Sequence, residues 1–291
     1  MGNDSSRSTF EIKPAIKGIL RGLLPATVVN KVRFVRDQIA IRTFESRIVN
    51  HVYGGISLRV KIADTMSAQW YDRDFDELPE FTFLKQRRLE PGALIFDLGA
   101  HQAVIALLLA RIVGESGRVI AVEAGKYNFD IAVENRSLNL VSNLSLIRAA
   151  VAEKDGAPMT VTGGINGSVS ATGEPVVSKS IDALASEFGK PDVVWLDIEG
   201  YECKALEGAQ ETLKDGADWH VEVHSGCGLE SFGGSAVKIE QIFREHGYDL
   251  YFRTDQHYQD QFRPMSSVPK GHFYMICCKD RSPKPPEGGR R

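Results

Sequence analysis

The stretch Leu94-Ile95-Phe96-Asp97-Leu98-Gly99-Ala100-His101 decides the fold. An apolar run of strand length ends in an acid, turns through a glycine and enters a second apolar run, residues 104–113, with helical spacing. A strand without polar alternation is buried on both faces, and a helix that follows at once is the crossover of a parallel sheet. The same texture repeats outward from this unit. Strand-like runs occupy 94–98, 118–123, 144–149, 193–197, 219–223, 249–253 and 273–277, and helical patterns occupy 104–113, 127–138, 181–187 and 203–213 between the first five. Successive βα units with right-handed crossovers predict a three-layer α/β sandwich around a seven-stranded, mostly parallel sheet. The short connection before the last run predicts an antiparallel final strand, in an edge hairpin with its predecessor.

Residues 1–90 read as an N-terminal cap, 91–280 as the sheet domain and 281–291, rich in Pro and Gly, as a disordered tail. Ile16, Ile19, Leu20, Leu23 and Leu24 share a helical face that Lys13, Lys17 and Arg21 interrupt, and Pro25 ends it. Such a basic amphipathic helix either touches an anionic membrane surface or packs on the domain or a partner. A second helical pattern covers 29–44, and Gly54-Gly55 within 52–62 marks a hairpin.

Composition narrows the function classes. The 291 residues suit one large domain or two small ones, and 43% hydrophobic with 25% charged residues is ordinary for a globular chain. A net charge of -3, from 35 basic and 38 acidic residues, provides no field for gathering nucleic acid. The 4 cysteines form no CxxC pair, which points to a reducing cytoplasm, and no run approaches the roughly 18 apolar residues of a spanning helix. Oligomeric state is not legible.

In open α/β sheets ligands bind beyond the carboxyl ends of the strands, where Asp97 and Gly99 fall. A dinucleotide fingerprint would need glycine at positions 101 and 104, which are His101 and Val104, so a nicotinamide-dependent oxidoreductase is only a remote reading. An acid ahead of the first glycine suits a ligand with an ammonium group, because a carboxylate attracts it and repels a pyrophosphate. S-adenosylmethionine has that character. Glu123 closes the second strand, where an acid can accept hydrogen bonds from ribose hydroxyls or stand as a surface charge.

These residues resemble a known family. Phe96-Asp97-Leu98-Gly99-Ala100-His101, Val122-Glu123, Asn135 to Asn139, and above all Leu196-Asp197-Ile198-Glu199-Gly200-Tyr201-Glu202 with Leu206-Glu207-Gly208 are similar to the FkbM family of S-adenosylmethionine-dependent methyltransferases. The resemblance spans roughly residues 70–279. It implies a class I methyltransferase (Rossmann-like) fold and O-methylation of a hydroxyl on a sugar or complex natural product. It implies a cofactor site of Asp97, Gly99, Ala100, His101, Glu123, Ala150 and Asp197, with an apolar adenine wall at Ala149-Ala150-Val151-Ala152. The glycine-rich stretch from Gly163 to Ser168 stands where the family places a ligand-facing loop, or is a turn, and Trp70-Tyr71-Asp72 resembles an aromatic entry segment. The chain departs from the pattern at His101, usually Asn, and Ala103, usually Gly. His101 either reaches the cofactor carboxylate or points to solvent, and a noncatalytic S-adenosylmethionine-binding module is the alternative reading.

Acids and imidazoles gather at the next two strand ends: Asp197, Glu199 and Glu202, then His220, Glu222 and His224 on one strand face. Burying them without partners costs several kcal/mol, so a polar cavity is expected. A hydroxyl is too weak an acid to ionise at neutral pH, and methyl transfer to it benefits from a base. His224 is the leading base, Asp197 the alternative and Glu199 a further catalytic candidate, with Glu202 and Glu222 facing the substrate. The same donors could hold a divalent metal, which is not the favoured reading. Acids in the first turn of the next helix would also serve its dipole.

Overall fold

The computed structural model describes residues 26–165, 167–254 and 260–279. The expected helix over 13–24, the tail 281–291 and Asn166 of the glycine-rich stretch lie outside the described residues. In chain order, helix α1 (Ala26–Thr43) precedes strands β1 (Arg47–Tyr53) and β2 (Ile56–Ile62) and helices α2 (Thr65–Tyr71) and α3 (Pro79–Lys85). There follow β3 (Leu94–Leu98), α4 (Val104–Val113), β4 (Arg118–Glu123), α5 (Lys126–Asn139), β5 (Leu144–Arg148), β6 (Ala150–Val151), β7 (Pro158–Val161) and β8 (Glu174–Lys179). The remainder is α6 (Ile181–Phe188), β9 (Val193–Leu196), α7 (Glu202–Glu207), α8 (Gln210–Asp215), β10 (Asp218–Val223), α9 (Ala236–Glu245), β11 (Asp249–Thr254), β12 (Arg263–Pro264) and β13 (Phe273–Cys278). No helix among the described residues is long and apolar enough to cross a membrane.

The main sheet runs β12-β11-β13-β10-β9-β3-β4-β5. Strands β5, β4, β3, β9 and β10 are parallel neighbours, so β3 and β9 meet at the switch point with their carboxyl ends side by side. The last strand is antiparallel and pairs with its predecessor β11 as expected, but β11 is the outer member of that pair. The last strand inserts between β10 and β11, with Trp219 opposite Cys277 and Asp249 opposite Cys278. Its sequence explains the interior seat: Phe273, Met275, Ile276, Cys277 and Cys278 are buried, and a strand apolar on both faces cannot rest at an edge. A second small sheet, β6-β8-β7, grows out beyond β5. Its strands are short and lie among glycines, which hid them from a reading of periodicity.

The faces of the main sheet bury separate apolar clusters. Phe96, Leu98, Trp219 and Phe243 belong to one, while Ile95, Leu107, Trp195 and Ile276 belong to the other. Tyr53, Leu58, Val60, Ile62 and Leu84, all from before residue 91, complete the second cluster. The hairpin β1–β2 turns through Gly54 (φ +53°) and Gly55 (φ +82°), the left-handed pair that a two-residue turn requires.

Candidate functional site

A cleft of about 650 Å³ opens over the carboxyl ends of β3, β4 and β9. Gly99, His101, Glu123 and Asn128 form one side, Ala149, Ala150 and Val151 an apolar wall, and Asp197, Ile198 and Glu199 the opposite end. Trp70 stands at its mouth, 5.6 Å from the His101 ring, and Gly167 and Ser168 reach it from the glycine-rich stretch. The cleft lining offers a ligand an apolar and a polar end.

The loop after β3 is built for close approach between strands. At Gly99 (φ +93°) an added Cβ would lie 1.6 Å from the Asp197 carbonyl oxygen, so the glycine admits the backbone that leaves β9. The Gly99 and Ala100 amides both donate to the Val122 carbonyl, at 2.9 and 3.0 Å. Ala100 is buried and its expected cofactor contact is not part of the cleft wall, because its amide is spent on β4. His101 (φ +49°) and Ala103 (φ +62°) are left-handed, which accounts for Asn and Gly as the family's choices there.

Glu123 accepts from the His101 amide through Oε2 and from the Gly125 amide through Oε1, both at 2.8 Å. Its carboxylate is thereby fixed at the cleft, with lone pairs left over for hydroxyl donors. Burial pushes its pKa from 4.5 to about 7. Asp97, expected to contact the cofactor, is 2% exposed and not part of the cleft wall; its Oδ2 lacks any hydrogen-bond donor, and burial together with the Glu123 charge raises it from 3.8 to about 7. His101 lines the cleft. Its Nε2 lies 3.2 Å from the Ile165 carbonyl, and burial lowers its pKa, so it is a neutral donor bracing the glycine-rich stretch. Asn128 Nδ2 donates to the same carbonyl at 3.0 Å.

Beyond Asp197 the acids and imidazoles separate. His224, 5% exposed, pairs Nδ1 with Glu202 Oε1 at 2.7 Å. Its Nε2 faces Asp197 Oδ1 at 3.7 Å, Glu199 Oε2 at 3.6 Å and Glu222 Oε1 at 3.7 Å. Burial opposes its protonation, but the bond to Glu202 and the charges of Asp197, Glu202 and Glu199 outweigh that and push it up to about 10. Burial and the Glu222 charge hold Asp197 well above the usual carboxylate range. Glu202 is wholly buried, and its Oε1 also accepts from the Gly200 amide at 2.9 Å; it orients His224 instead of facing a substrate. Glu222 is held by His272 Nε2 at 2.7 Å, outside the cleft wall. His220 departs from its strand mates. It stacks 4.0 Å from Trp195, both ring nitrogens lack partners, and burial pushes it down to about 3.

Sequence reasoning missed several residues. His272 is separated from Glu222 by 50 positions and carries no local motif. Asp64, also unseen, caps α2 through Oδ1 and through Oδ2 accepts from Gln102 Nε2 at 2.7 Å, tying the segment before residue 91 to the first cofactor loop. An Asp three residues before Ser67 at a helix start was the available signal.

Residues 97–250 match the family model described as Methyltransferase FkbM domain. A curated relative, "Hexuronic acid methyltransferase AglP" of Haloferax volcanii, is 26% identical over 209 residues, covering 69% of this chain and 84% of that protein. Among solved structures, Methyltransferase FkbM from Methylobacillus flagellatus is 15% identical with a TM-score of 0.44, covering 63% of this chain and 43% of that one. A SAM dependent methyltransferase from Aquifex aeolicus is 15% identical with a TM-score of 0.42, covering 74% and 93%.

Proposed function

Because the chain belongs to the Methyltransferase FkbM domain family and is an S-adenosylmethionine-dependent methyltransferase, we propose that its acceptor is a hydroxyl of a sugar or sugar-bearing natural product. The name of the Haloferax volcanii relative makes a hexuronic acid the first acceptor to test. One observation carries the reading: Glu123 is fixed by two backbone amides at one end of a cleft whose other end is Asp197 and Glu199.

The residues fit the cofactor. The orphaned Oδ2 of Asp97 is a buried acceptor awaiting a donor, Glu123 offers lone pairs to ribose hydroxyls, and Ala149, Ala150 and Val151 offer an adenine wall. When bound, S-adenosylmethionine supplies a methyl group on a cationic sulfur, open to in-line attack. The acceptor hydroxyl then lies at the Asp197 and Glu199 end, where its proton must leave as the new O–C bond forms. In the arrangement shown, Asp197 suits that task better than His224. An imidazole that keeps its proton to about pH 10 has nothing to accept with, which leaves Asp197 as the group at this end of the cleft to take the proton. His224 serves as a positioning group, held by Glu202. We assign residues 91–280 to the methyltransferase domain and 1–90 to its cap, in a cytoplasmic protein whose partner is this small acceptor rather than nucleic acid.

Calorimetry with S-adenosylhomocysteine and methyl-transfer assays on hexuronic acid glycosides test the assignment. Glu123→Gln should weaken cofactor-product binding at least about tenfold, since hydrogen bonds to charged groups contribute about 1.5–3 kcal/mol. Asp197→Asn should lower turnover about 100-fold or more. Unchanged binding in the first variant, or unchanged turnover in the second, refutes the corresponding role.

A further inference from the structure

At the Asp197 and Glu199 end of the cleft, two groups of ligand-type side chains share His224: Asp197 and Glu199 on one side, Glu222 and His272 on the other. His224 is nine-tenths buried, its Nδ1 is taken by Glu202, and its Nε2 has no hydrogen-bond acceptor within reach. Instead Asp197 Oδ1, Glu199 Oε2 and Glu222 Oε1 surround that nitrogen at 3.6–3.7 Å. These separations are too long for hydrogen bonds, but two atoms that each lie about 2.1 Å from one ion sit roughly 3–4 Å apart. The candidate ligand atoms of Asp197, Glu199 and His224 all lie within 4.8 Å of one another. Glu199 reaches the cluster from a left-handed backbone (φ +55°), and His272 steadies Glu222 from the far side.

We infer that Asp197, Glu199 and His224, completed by Glu222, form a site for one divalent cation that binds the acceptor hydroxyl. Carboxylate oxygens with a single imidazole suit an ion of the Mn²⁺ or Mg²⁺ kind rather than a thiolate-seeking one. The Glu202–His224 pair has the form of a carboxylate orienting a metal-binding imidazole through its second nitrogen. Binding displaces the proton from Nε2, so the ion takes the place of the imidazolium charge among the acids. The ion carries one more positive charge than the imidazolium it replaces, which lessens the repulsion an acidic sugar meets from the three carboxylates. The coordinated hydroxyl gives its proton to Asp197, its oxygen bonds to the methyl carbon, and the S–C bond breaks to leave neutral S-adenosylhomocysteine.

The inference rests on the methyltransferase reading, and the experiment separates the two. Chelator-treated full-length protein is titrated with Mn²⁺ and, in a separate cell, with S-adenosylhomocysteine, with paramagnetic resonance following free Mn²⁺. The expected result is one Mn²⁺ per chain, with affinity lowered about tenfold or more by Glu199→Gln and further by Glu199→Gln/Glu222→Gln. Glu230→Gln, an exposed acid outside the cluster, should leave Mn²⁺ affinity unchanged. Absence of saturable Mn²⁺ or Mg²⁺ binding up to about 1 mM by wild-type protein that still binds S-adenosylhomocysteine overturns the metal site alone. Undiminished Mn²⁺ binding in the double variant overturns it as well. Loss of S-adenosylhomocysteine binding would instead overturn the cofactor assignment.

Discussion

At Gly99 one hydrogen atom separates two strand ends. A Cβ there would meet the Asp197 carbonyl oxygen at 1.6 Å and its carbon at 2.7 Å, and both are backbone atoms that cannot turn aside. Gly99→Ala should therefore destabilise the protein by about 3 kcal/mol or more, measured by urea denaturation, because overpacking and a positive φ act together. Titration supplies a second expectation at this scale. Asp97 and Glu123 ionise near pH 7 in the fold, against ordinary values of 3.8 and 4.5, so the folded apo-protein retains protons that the unfolded chain has released. Their effect on stability is nil below the unfolded values; a penalty accrues as pH rises from about 4 to about 7 and stays constant above that. A bound ammonium relieves it. The rise in melting temperature caused by S-adenosylmethionine should thus be larger at about pH 8 than at about pH 5.5, and an equal rise at both would show that neither acid meets the cofactor's charge.

Elements join through side chains that imitate backbone. Asn135 and Asn139, one turn apart on α5, lie against the free edge of β2. Asn135 accepts from the Lys61 amide at 2.8 Å and donates to the Gln102 carbonyl at 2.9 Å, and Asn139 accepts from the Arg59 amide at 3.0 Å and donates to its carbonyl at 2.8 Å. The two amides thus finish an open strand edge and tie it to the cofactor loop. Asn135→Ala leaves a buried Lys61 N–H and a Gln102 carbonyl unpaired and should cost about 2–4 kcal/mol by chemical denaturation, while Asn135→Asp should recover only the acceptor half. Helical patterning over 203–213 was legible as one element, yet the chain breaks into α7 and α8 at Gly208. There a Cβ would stand 2.6 Å from the Ala152 carbonyl oxygen, a contact made by residues 56 positions apart in sequence, which local spacing cannot reveal.

For the whole molecule, the segment before residue 91 is fastened at the far side of the sheet as well. Arg253 Nη2 on β11 donates to Glu80 Oε2 of α3 at 3.0 Å, and both side chains are almost wholly buried. Glu80→Gln should destabilise by about 3–5 kcal/mol by removing the carboxylate that faces a buried guanidinium, and Glu80→Met/Arg253→Met should regain much of that loss; equal loss in both variants would show that packing rather than charge pairing is at stake. Sequence alone determined the α/β class, the parallel character of five strands of the sheet and the placement of Asp97, Glu123, Asp197 and His224 at strand ends, because burial imposes a period on each element that is visible locally. Only the tertiary structure decided that β13 lies inside the sheet, that His220 turns into an aromatic stack while His224 turns to the acids, and that His272 joins them. Those outcomes depend on which neighbour each strand acquires and on the field of charges brought from distant positions, and neither is encoded in the spacing of a single segment.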